Sequence, residues 1–224
     1  MNATQRHQAF RELASALPGI DLAAYQELGR DWQEPVIGEG HPEAPLAFFG
    51  RDPGRDEVRH QQPFIGAAGQ QVRGALYQHR YGEAMPDFEA SLQIGEQYFW
   101  ANTVPYKPLG NKAWSMAVKK RFQPLVADLL LNAWQGSEII TLGREAFFWF
   151  AINQPREVKA RLEAFWARED RFSEHLALEL CGQDGASRTI HLHPLPHPSP
   201  LNATWYKRFP GLLQARLQRL EVGR

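Results

Sequence analysis

Residues 45–54 read PLAFFGRDPG, a short apolar run that ends in a loop rich in glycine and proline. A continuous apolar run of this length, bounded by turn residues, is typical of a strand that is buried on both faces of a sheet. We therefore predict a buried strand over residues 46–49 that stops at Gly50. The loop that follows it carries a single carboxylate, Asp52.

Three more strands are expected from stretches rich in β-branched and aromatic residues. They are EQYFWANTVPY, whose strand ends near Asn102, EIITL at residues 138–142, and RTIHLH at residues 188–193. Apolar residues at helical spacing lie between and around these strands. The helical segments are residues 6–30 with a break at Pro18-Gly19, a helix that starts at Gly66, residues 114–134 with Pro124 as a kink or break, a helix from about Arg144, a charged stretch at residues 156–172, and the C-terminal residues 208–222.

Strands that alternate with helices predict an α/β fold with three layers, α/β/α, around a small and mainly parallel central sheet. We expect one domain over residues 1–224, with a helical lead-in over residues 1–44. Ligands of such folds bind beyond the carboxyl ends of the strands. The loops that follow Phe49, Asn102 and His193 should therefore open on one rim of the sheet.

The composition limits the classes of function. The 224 residues include 25 basic and 25 acidic side chains, so no overall field attracts polyanions and any contact with nucleic acid must be local. The single cysteine, Cys181, excludes an intramolecular disulfide, a cysteine-ligated cluster and a zinc finger. No stretch approaches the roughly 18 apolar residues of a membrane span. We expect a cytoplasmic protein with no membrane partner.

Two loops on the predicted rim carry groups suited to catalysis. In the first, Gly50, Pro53 and Gly54 would hold Asp52 in place. In the second, HPSPLN at residues 197–202, prolines stiffen the chain around one imidazole and one hydroxyl. Taken alone, the first loop is more simply a strand-to-helix turn with a capping aspartate, and His197 is as easily a structural histidine.

Two further residues are candidates for binding. Phe64 stands just before the small residues that start a helix, and Asn102 can present one donor and one acceptor side by side. Alone, these would be a core aromatic residue and a turn residue. A different hypothesis concerns His191 and His193, which lie on one strand face and could bind a metal together with His197 or Asp52.

In chain order, these segments resemble the uracil-DNA glycosylase superfamily. GRDPG at residues 50–54 resembles the GQDPY loop of family 1 enzymes, which places Asp52 at the water-activating aspartate. QPFIGAAGQQV at residues 62–72 resembles the PFVGxAGxLL segment of families 4 and 5, which places Phe64 at the position that stacks on the base.

The resemblance continues toward the C-terminus. ANTVPYKPLGNK at residues 101–112 is similar to the family 4 segment NVVKCRPPGNR without its cysteine, which puts Asn102 at the uracil-reading asparagine. TLGREA at residues 141–146 is similar to that family's LGxxA helix start. HPSPLN matches the family 1 loop HPSPLS, so His197 aligns with the leaving-group histidine and Leu201 with the residue wedged into the duplex.

Three departures from the family patterns bear on function. The cysteines of the family 4 iron–sulfur cluster have no counterpart here, so no cofactor is implied. Gly54 stands where family 1 has the tyrosine that blocks the methyl group of thymine, which leaves the base range open. Arg51 stands where family 4 has its catalytic acid, so the acid must be Asp52.

The resemblance implies a monomeric, monofunctional DNA glycosylase of base excision repair that hydrolyses the N-glycosidic bond of uracil or another deaminated base in DNA after flipping it out. The implied catalytic residues are Asp52 and His197, and the implied base-binding residues are Phe64, Asn102, Gly50 and Arg51. We expect the side chain of Arg51 to point toward a phosphate. The implied DNA contacts are Ser199, Leu201, Lys207, Arg208 and Lys112.

Three alternatives remain open at this point. The first is a DNA-binding protein that recognises uracil or an abasic site without catalysis. The second is a metal-dependent hydrolase that uses His191, His193 and His197. The third is a glycosylase for a free nucleotide, or for another base such as hypoxanthine or xanthine.

Overall fold

The computed structural model describes residues 1–38, 40–200 and 202–222, and in this part of the chain a five-stranded sheet forms the centre. The strands are β1 (Leu46–Gly50), β2 (Phe99–Asn102), β3 (Glu138–Leu142), β4 (Leu176–Cys181) and β5 (Ser187–Leu195). Their order across the sheet is β2-β1-β3-β5-β4. All neighbouring pairs are parallel except β4 and β5. The predicted α/β fold with a small, mainly parallel sheet is therefore confirmed.

Helices connect and flank these strands. They are α1 (Ala3–Ser15), α2 (Leu22–Glu27), α3 (Arg55–His60), α4 (Ala67–Tyr81), α5 (Phe88–Gly95), α6 (Met116–Asp128), α7 (Arg144–Trp149), α8 (Arg156–Trp166), α9 (Ala203–Tyr206) and α10 (Phe209–Val222). Pro124 lies inside α6, which runs through it and continues as a π-helical turn over Leu129–Ala133. Among the described helices, none is both long and apolar enough to cross a membrane.

The core has one layer on each face of the sheet, because successive side chains of a strand point to opposite faces. Ala47 and Phe49 of β1 belong to the cluster that includes residues of α1, α6 and α7. Leu46 and Phe48 belong to the cluster that includes residues of α4 and α10. Every residue of β1 is buried, as its continuous apolar run predicted.

Three elements were not predicted. The edge strand β4 has the sequence LALELC, and the Leu, Ala and Glu in it are good helix formers, so its strand state comes from antiparallel pairing with β5 rather than from local preference. Helices α3 and α5 are only 6 and 8 residues long, too short to show a clear period. Strand β5 also extends past the predicted end at His193 to Leu195.

The helical lead-in holds the loop that follows β2. Tyr106, at the position of the cysteine in the family 4 segment, is fully buried and packs edge-on against Phe122, with ring centroids 5.8 Å apart. Its hydroxyl donates a hydrogen bond to the carbonyl of Gln33 at 3.0 Å. Next to it, Lys107 forms a buried ion pair with Asp21 at 2.6 Å. The hydrogen bond to Gln33 and this ion pair fix the loop against the lead-in, and the aromatic packing fixes it against α6.

Candidate active site

The loops after the parallel strands meet at the carboxyl edge of the sheet, as predicted. Gly50 and Asn102 are paired in the register of β1 and β2, and the N–H of Gly143 donates to the carbonyl of Leu195 at 2.8 Å. A cavity of about 60 Å³ lies here, and its walls include six of the predicted site residues. These residues are Gly50, Arg51, Asp52, Phe64, Asn102 and His197.

A larger cavity of about 670 Å³ lies beside the small one and shares Arg51, Asp52 and His197 with it. Its walls also include Asn111 from the loop after β2 and Ser199 from the loop after β5. This arrangement gives a narrow recess lined by the candidate catalytic groups next to a broader opening. A recess beside a broader opening is a shape that can accept one part of a larger ligand.

Asp52 is held below the surface of the small cavity. Its side chain is 1% exposed, and the hydroxyl of Thr103 donates to Oδ1 at 3.1 Å. Thr103 is itself tied to the loop, since its N–H donates to the carbonyl of Arg51 at 2.9 Å, and its single hydroxyl proton is shared between that carbonyl, at 2.6 Å, and Oδ1 of Asp52. Burial raises the pKa of Asp52 to about 6, although two nearby cations and the Thr103 hydroxyl act in the opposite direction.

The side chain of Arg51 folds back over Asp52, and its expected contact with a phosphate stays a prediction. Its Nε lies 3.2 Å from Oδ2 of Asp52, and its Nη2 donates to the carbonyl of Asn111 at 3.1 Å. This contact is an ion pair without hydrogen-bond geometry, so Oδ2 of Asp52 has no hydrogen-bond partner among the described residues. That oxygen is the one left to accept a hydrogen bond from a ligand or water.

His197 packs closely against Gly143, the residue that follows β3. Gly143 has a φ of +93°, and a Cβ at this position would lie 3.0 Å from Cβ of His197. Within the loop, the side-chain amide of Asn202 donates to the carbonyl of His197 at 3.1 Å. Burial and the neighbouring Arg51 lower the pKa of His197, while Glu145 opposes them. The imidazole is therefore neutral at neutral pH and can donate one hydrogen bond.

Asn102 and Phe64 form two further walls of the small cavity. Asn102 is 6% exposed, and within the described part of the chain its Oδ1 accepts no hydrogen bond. A buried amide oxygen without a partner is rare, because desolvation of the oxygen then goes uncompensated. The ring of Phe64 lies against Gly50, where a Cβ would come within 2.4 Å of Cζ. Gly50 thus makes room for the ring.

Glu57 is a residue of the cavity walls that sequence reasoning missed. One carboxylate oxygen accepts the N–H of Gly54 at 2.9 Å, and the other accepts those of Ile65 and Gly66 at 3.1 and 2.8 Å. The carboxylate also lines both cavities. A glutamate three residues after the N-cap is a known sign of a helix start. Here the N-cap is Gly54 instead of the usual serine or threonine, so the pattern was not recognised.

The glutamate also changes how Gly54 is understood. A Cβ on Gly54 would lie 2.8 Å from Oε2 of Glu57. The space beside Gly54, where family 1 carries its tyrosine, is therefore filled by a carboxylate and is not an open gap.

The residues predicted to contact DNA have different positions relative to the larger opening. Ser199 lines it, and the exposed Lys112 follows Asn111, which also lines it. Lys207 and Arg208 are exposed between α9 and α10. Leu201 lies outside the described residues.

The three histidines of the metal hypothesis do not come together. Nδ1 of His191 and Nε2 of His193 lie 2.7 and 2.6 Å from the two carboxylate oxygens of Glu138, the first residue of β3. His197 instead lines the cavities at the carboxyl edge. Across residues 1–38, 40–200 and 202–222, no group of three or more His, Cys, Asp or Glu side chains has an arrangement that could hold a metal ion.

Comparison with known protein families matches residues 37–221 to the family described as the Uracil DNA glycosylase superfamily. The match includes all five strands and every loop that lines the two cavities. Since it covers most of the sequence, the chain belongs to the uracil DNA glycosylase superfamily.

Proposed function

We propose that this protein is a monofunctional DNA glycosylase that hydrolyses the N-glycosidic bond of uracil and related deaminated bases in DNA. Membership of the superfamily supports DNA glycosylase activity. The observation that carries the choice of uracil is the convergence of a buried carboxylate, Asp52, and an unpartnered amide oxygen, that of Asn102, on one small cavity walled by Phe64 and His197.

The reaction requires the nucleotide to leave the base stack and enter the cavity. As the bond to the base breaks, positive charge develops on the sugar and negative charge on the base. Ionised Asp52 stabilises the sugar and orients the water that attacks C1′, accepting its proton. Neutral His197 donates a hydrogen bond to the base oxygen, so the base leaves as an anion stabilised by that donor.

Recognition of the base follows from the amide of Asn102. Its Oδ1 accepts the N3–H of uracil while its Nδ2 donates to O4. Cytosine presents an acceptor at N3 and an amine at C4, which is the opposite pattern. A buried amide that is left unpaired by the wrong base can discriminate by about 10⁴-fold or more. Phe64 stacks on the face of the same ring.

DNA is held by local contacts, because the chain has no net charge to attract it. Ser199 and backbone N–H groups of its loop contact phosphates beside the opening, together with Lys112, Lys207 and Arg208. Leu201 fills the gap that the flipped base leaves in the stack. We propose that the protein acts as a monomer in the cytoplasm.

The test is base release from labelled oligonucleotides that carry uracil, hypoxanthine, xanthine or thymine opposite guanine, in single and double strands with EDTA present. We expect metal-independent release of uracil. Asp52→Asn and His197→Ala should each lower the rate by about 10²-fold or more, the scale of removing one preorganised charge or donor. Asp170→Asn, at an exposed aspartate that lines neither cavity, is the matched control and should retain activity.

One observation favours a second candidate, a protein that binds lesions without catalysis. The Arg51 cation lies 3.2 Å from the Asp52 carboxylate, where it opposes positive charge on the sugar. In that case the protein binds uracil-containing or abasic DNA tightly and stoichiometrically, and no base is released from any oligonucleotide. Release by wild-type protein and not by Asp52→Asn contradicts this candidate.

A further inference from the structure

The backbone of Phe64 adopts an unusual conformation. Its φ of +57° lies in the left-handed region, which bulky residues rarely occupy. Such a conformation persists only where surrounding contacts hold it, and it is concentrated at functional sites. The ring of Phe64 reaches the small cavity from this backbone position.

The side chain of Arg73 on α4 binds the backbone at Pro63 and Phe64. Its Nε donates to the carbonyl of Phe64 at 2.8 Å, and its Nη2 donates to the carbonyl of Pro63 at 3.2 Å. Its Nη1 donates to the carbonyl of Ser91 at 2.6 Å. Arg73 is only 3% exposed, so these bonds to carbonyls lie in a buried environment, where they are stronger than at the surface.

Two glycines make this arrangement sterically possible. A Cβ on Gly69 would lie 1.9 Å from the carbonyl oxygen of Phe64, and a Cβ on Gly95 would lie 1.7 Å from Nη1 of Arg73. Neither approach is open to any other residue type. The Phe64 carbonyl and the Arg73 guanidinium can therefore occupy their positions only because residues 69 and 95 are glycines.

Arg73 and Phe64 also contact the same aromatic ring. The guanidinium carbon lies 4.7 Å from the ring centroid of Trp100, and the centroids of Phe64 and Trp100 are 5.2 Å apart. Arg73 thus fixes both the backbone of Phe64 and the indole beside its ring.

We propose that Arg73 is a positioning residue that sets the conformation of Phe64 and so presents its ring to the extruded base. The inference rests on the proposed function for the role of the ring. Arg73 lines neither cavity at the carboxyl edge and acts through the position of Phe64.

The variant Arg73→Met removes the donors and keeps a long apolar side chain over Trp100. Arg188→Met is the matched control, because Arg188 also donates to carbonyls, those of Leu131, Trp134 and Gly136, and lines neither cavity at the carboxyl edge. Loss of the stacking contact between Phe64 and the base should lower the rate by about 10-fold or more. We expect Arg73→Met to lower the single-turnover rate of uracil release by that factor. Arg188→Met should not lower this rate when the two variants are compared at an equal loss of stability.

A double-mutant cycle separates positioning from general destabilisation. If Arg73 acts through Phe64, the effect of Arg73→Met should disappear in a Phe64→Ala background. Additive effects of the two substitutions would overturn the proposal. Arg73→Lys, which keeps the charge and part of the donor capacity, should restore activity partly and covers the case in which Arg73→Met does not fold.

Hydrogen exchange of the amides of residues 64–69 gives a readout that needs no activity. We expect faster exchange there in Arg73→Met than in Arg188→Met, and equal exchange would overturn the proposal. Wild-type protein that releases no base would contradict the proposed function instead, while the exchange data would still decide whether Arg73 holds the loop.

Discussion

Nε of Arg51 lies 3.2 Å from Oδ2 of Asp52, so a cation covers one oxygen of the carboxylate that lines the small cavity. Arg51 and Asp52 are neighbours in the chain, and the hydrogen bond from Arg51 to the carbonyl of Asn111 holds the guanidinium in this position. Burial favours the protonated form of Asp52, and Arg51 is the strongest of the influences that oppose it. The arginine thus helps to keep the carboxylate ionised.

This relationship predicts the pH dependence of the Arg51→Gln variant. In wild-type protein we expect base release to fall as the pH drops through about 6, because Asp52 becomes protonated. Without the cation, the pKa of Asp52 should rise further, and the acid limb of the pH–rate profile should move to higher pH. Single-turnover profiles measure this, with the exposed Arg59→Gln as control. Superimposable acid limbs for Arg51→Gln and wild type would contradict the prediction.

Asp52 should also destabilise the folded protein at neutral pH. Its pKa is raised from 3.8 to about 6, so stability falls as the pH rises through this interval. Asp52→Asn should therefore increase the free energy of unfolding near pH 7 by an amount of order 1–3 kcal/mol. The gain should shrink as the pH falls to about 3, below both pKa values, where the aspartate is mostly protonated in both states.

Urea unfolding of both proteins at these two pH values measures whether Asp52→Asn has the larger free energy of unfolding. A wild-type protein that is more stable than Asp52→Asn near neutral pH would show that the carboxylate is better stabilised than its burial indicates.

The amide of Asn102 should account for recognition of the base. Asn102→Leu keeps a side chain of similar volume and removes both hydrogen-bonding groups. We expect uracil release to fall by about 10²-fold or more, while binding to DNA with an abasic site, which has no base to read, stays near the wild-type level. Equal losses of both would assign Asn102 a structural role.

Sequence reasoning found the site residues that follow strands. Asp52 and His197 follow β1 and β5, Asn102 is the last residue of β2, and the carboxyl ends of parallel strands necessarily share one edge of the sheet. The apolar run of β1 and the resemblance of the loops to known motifs were therefore sufficient to bring these residues together.

The residues that sequence reasoning missed act on backbone groups. Glu57 accepts three N–H groups, and Arg73 donates to three carbonyls, so neither has a side-chain partner in these contacts that a pattern could reveal. The direction of Arg51 depends on the carbonyl of Asn111, a residue 60 positions away. Contacts of this kind follow from the tertiary fold alone.

The carboxylate of Glu57 should hold the two loops of the cavity together. Glu57→Ala would leave the N–H groups of Gly54, Ile65 and Gly66 without their acceptor, at a cost of about 1–3 kcal/mol for each one that stays dry. We expect reduced stability and slower base release. Glu89→Ala, at an exposed glutamate in the first turn of α5 that lines neither cavity, should change neither, and thermal unfolding with single-turnover assays compares the two.

Gly54 should tolerate no side chain while Glu57 is in place. A Cβ at residue 54 would lie 2.8 Å from Oε2 of Glu57, so Gly54→Ala must displace the carboxylate from the N–H groups it accepts. We expect lower stability and slower uracil release from this variant.

Gly74→Ala is its matched control. Gly74 lies inside α4, and a Cβ there meets nothing within 4 Å. Alanine should stabilise the helix by about 0.5–1 kcal/mol and leave base release unchanged. If Gly54→Ala behaves like Gly74→Ala, the carboxylate moves freely and does not form a fixed wall beside residue 54. If only Gly54→Ala loses activity, the wall of the cavity at this position is Glu57.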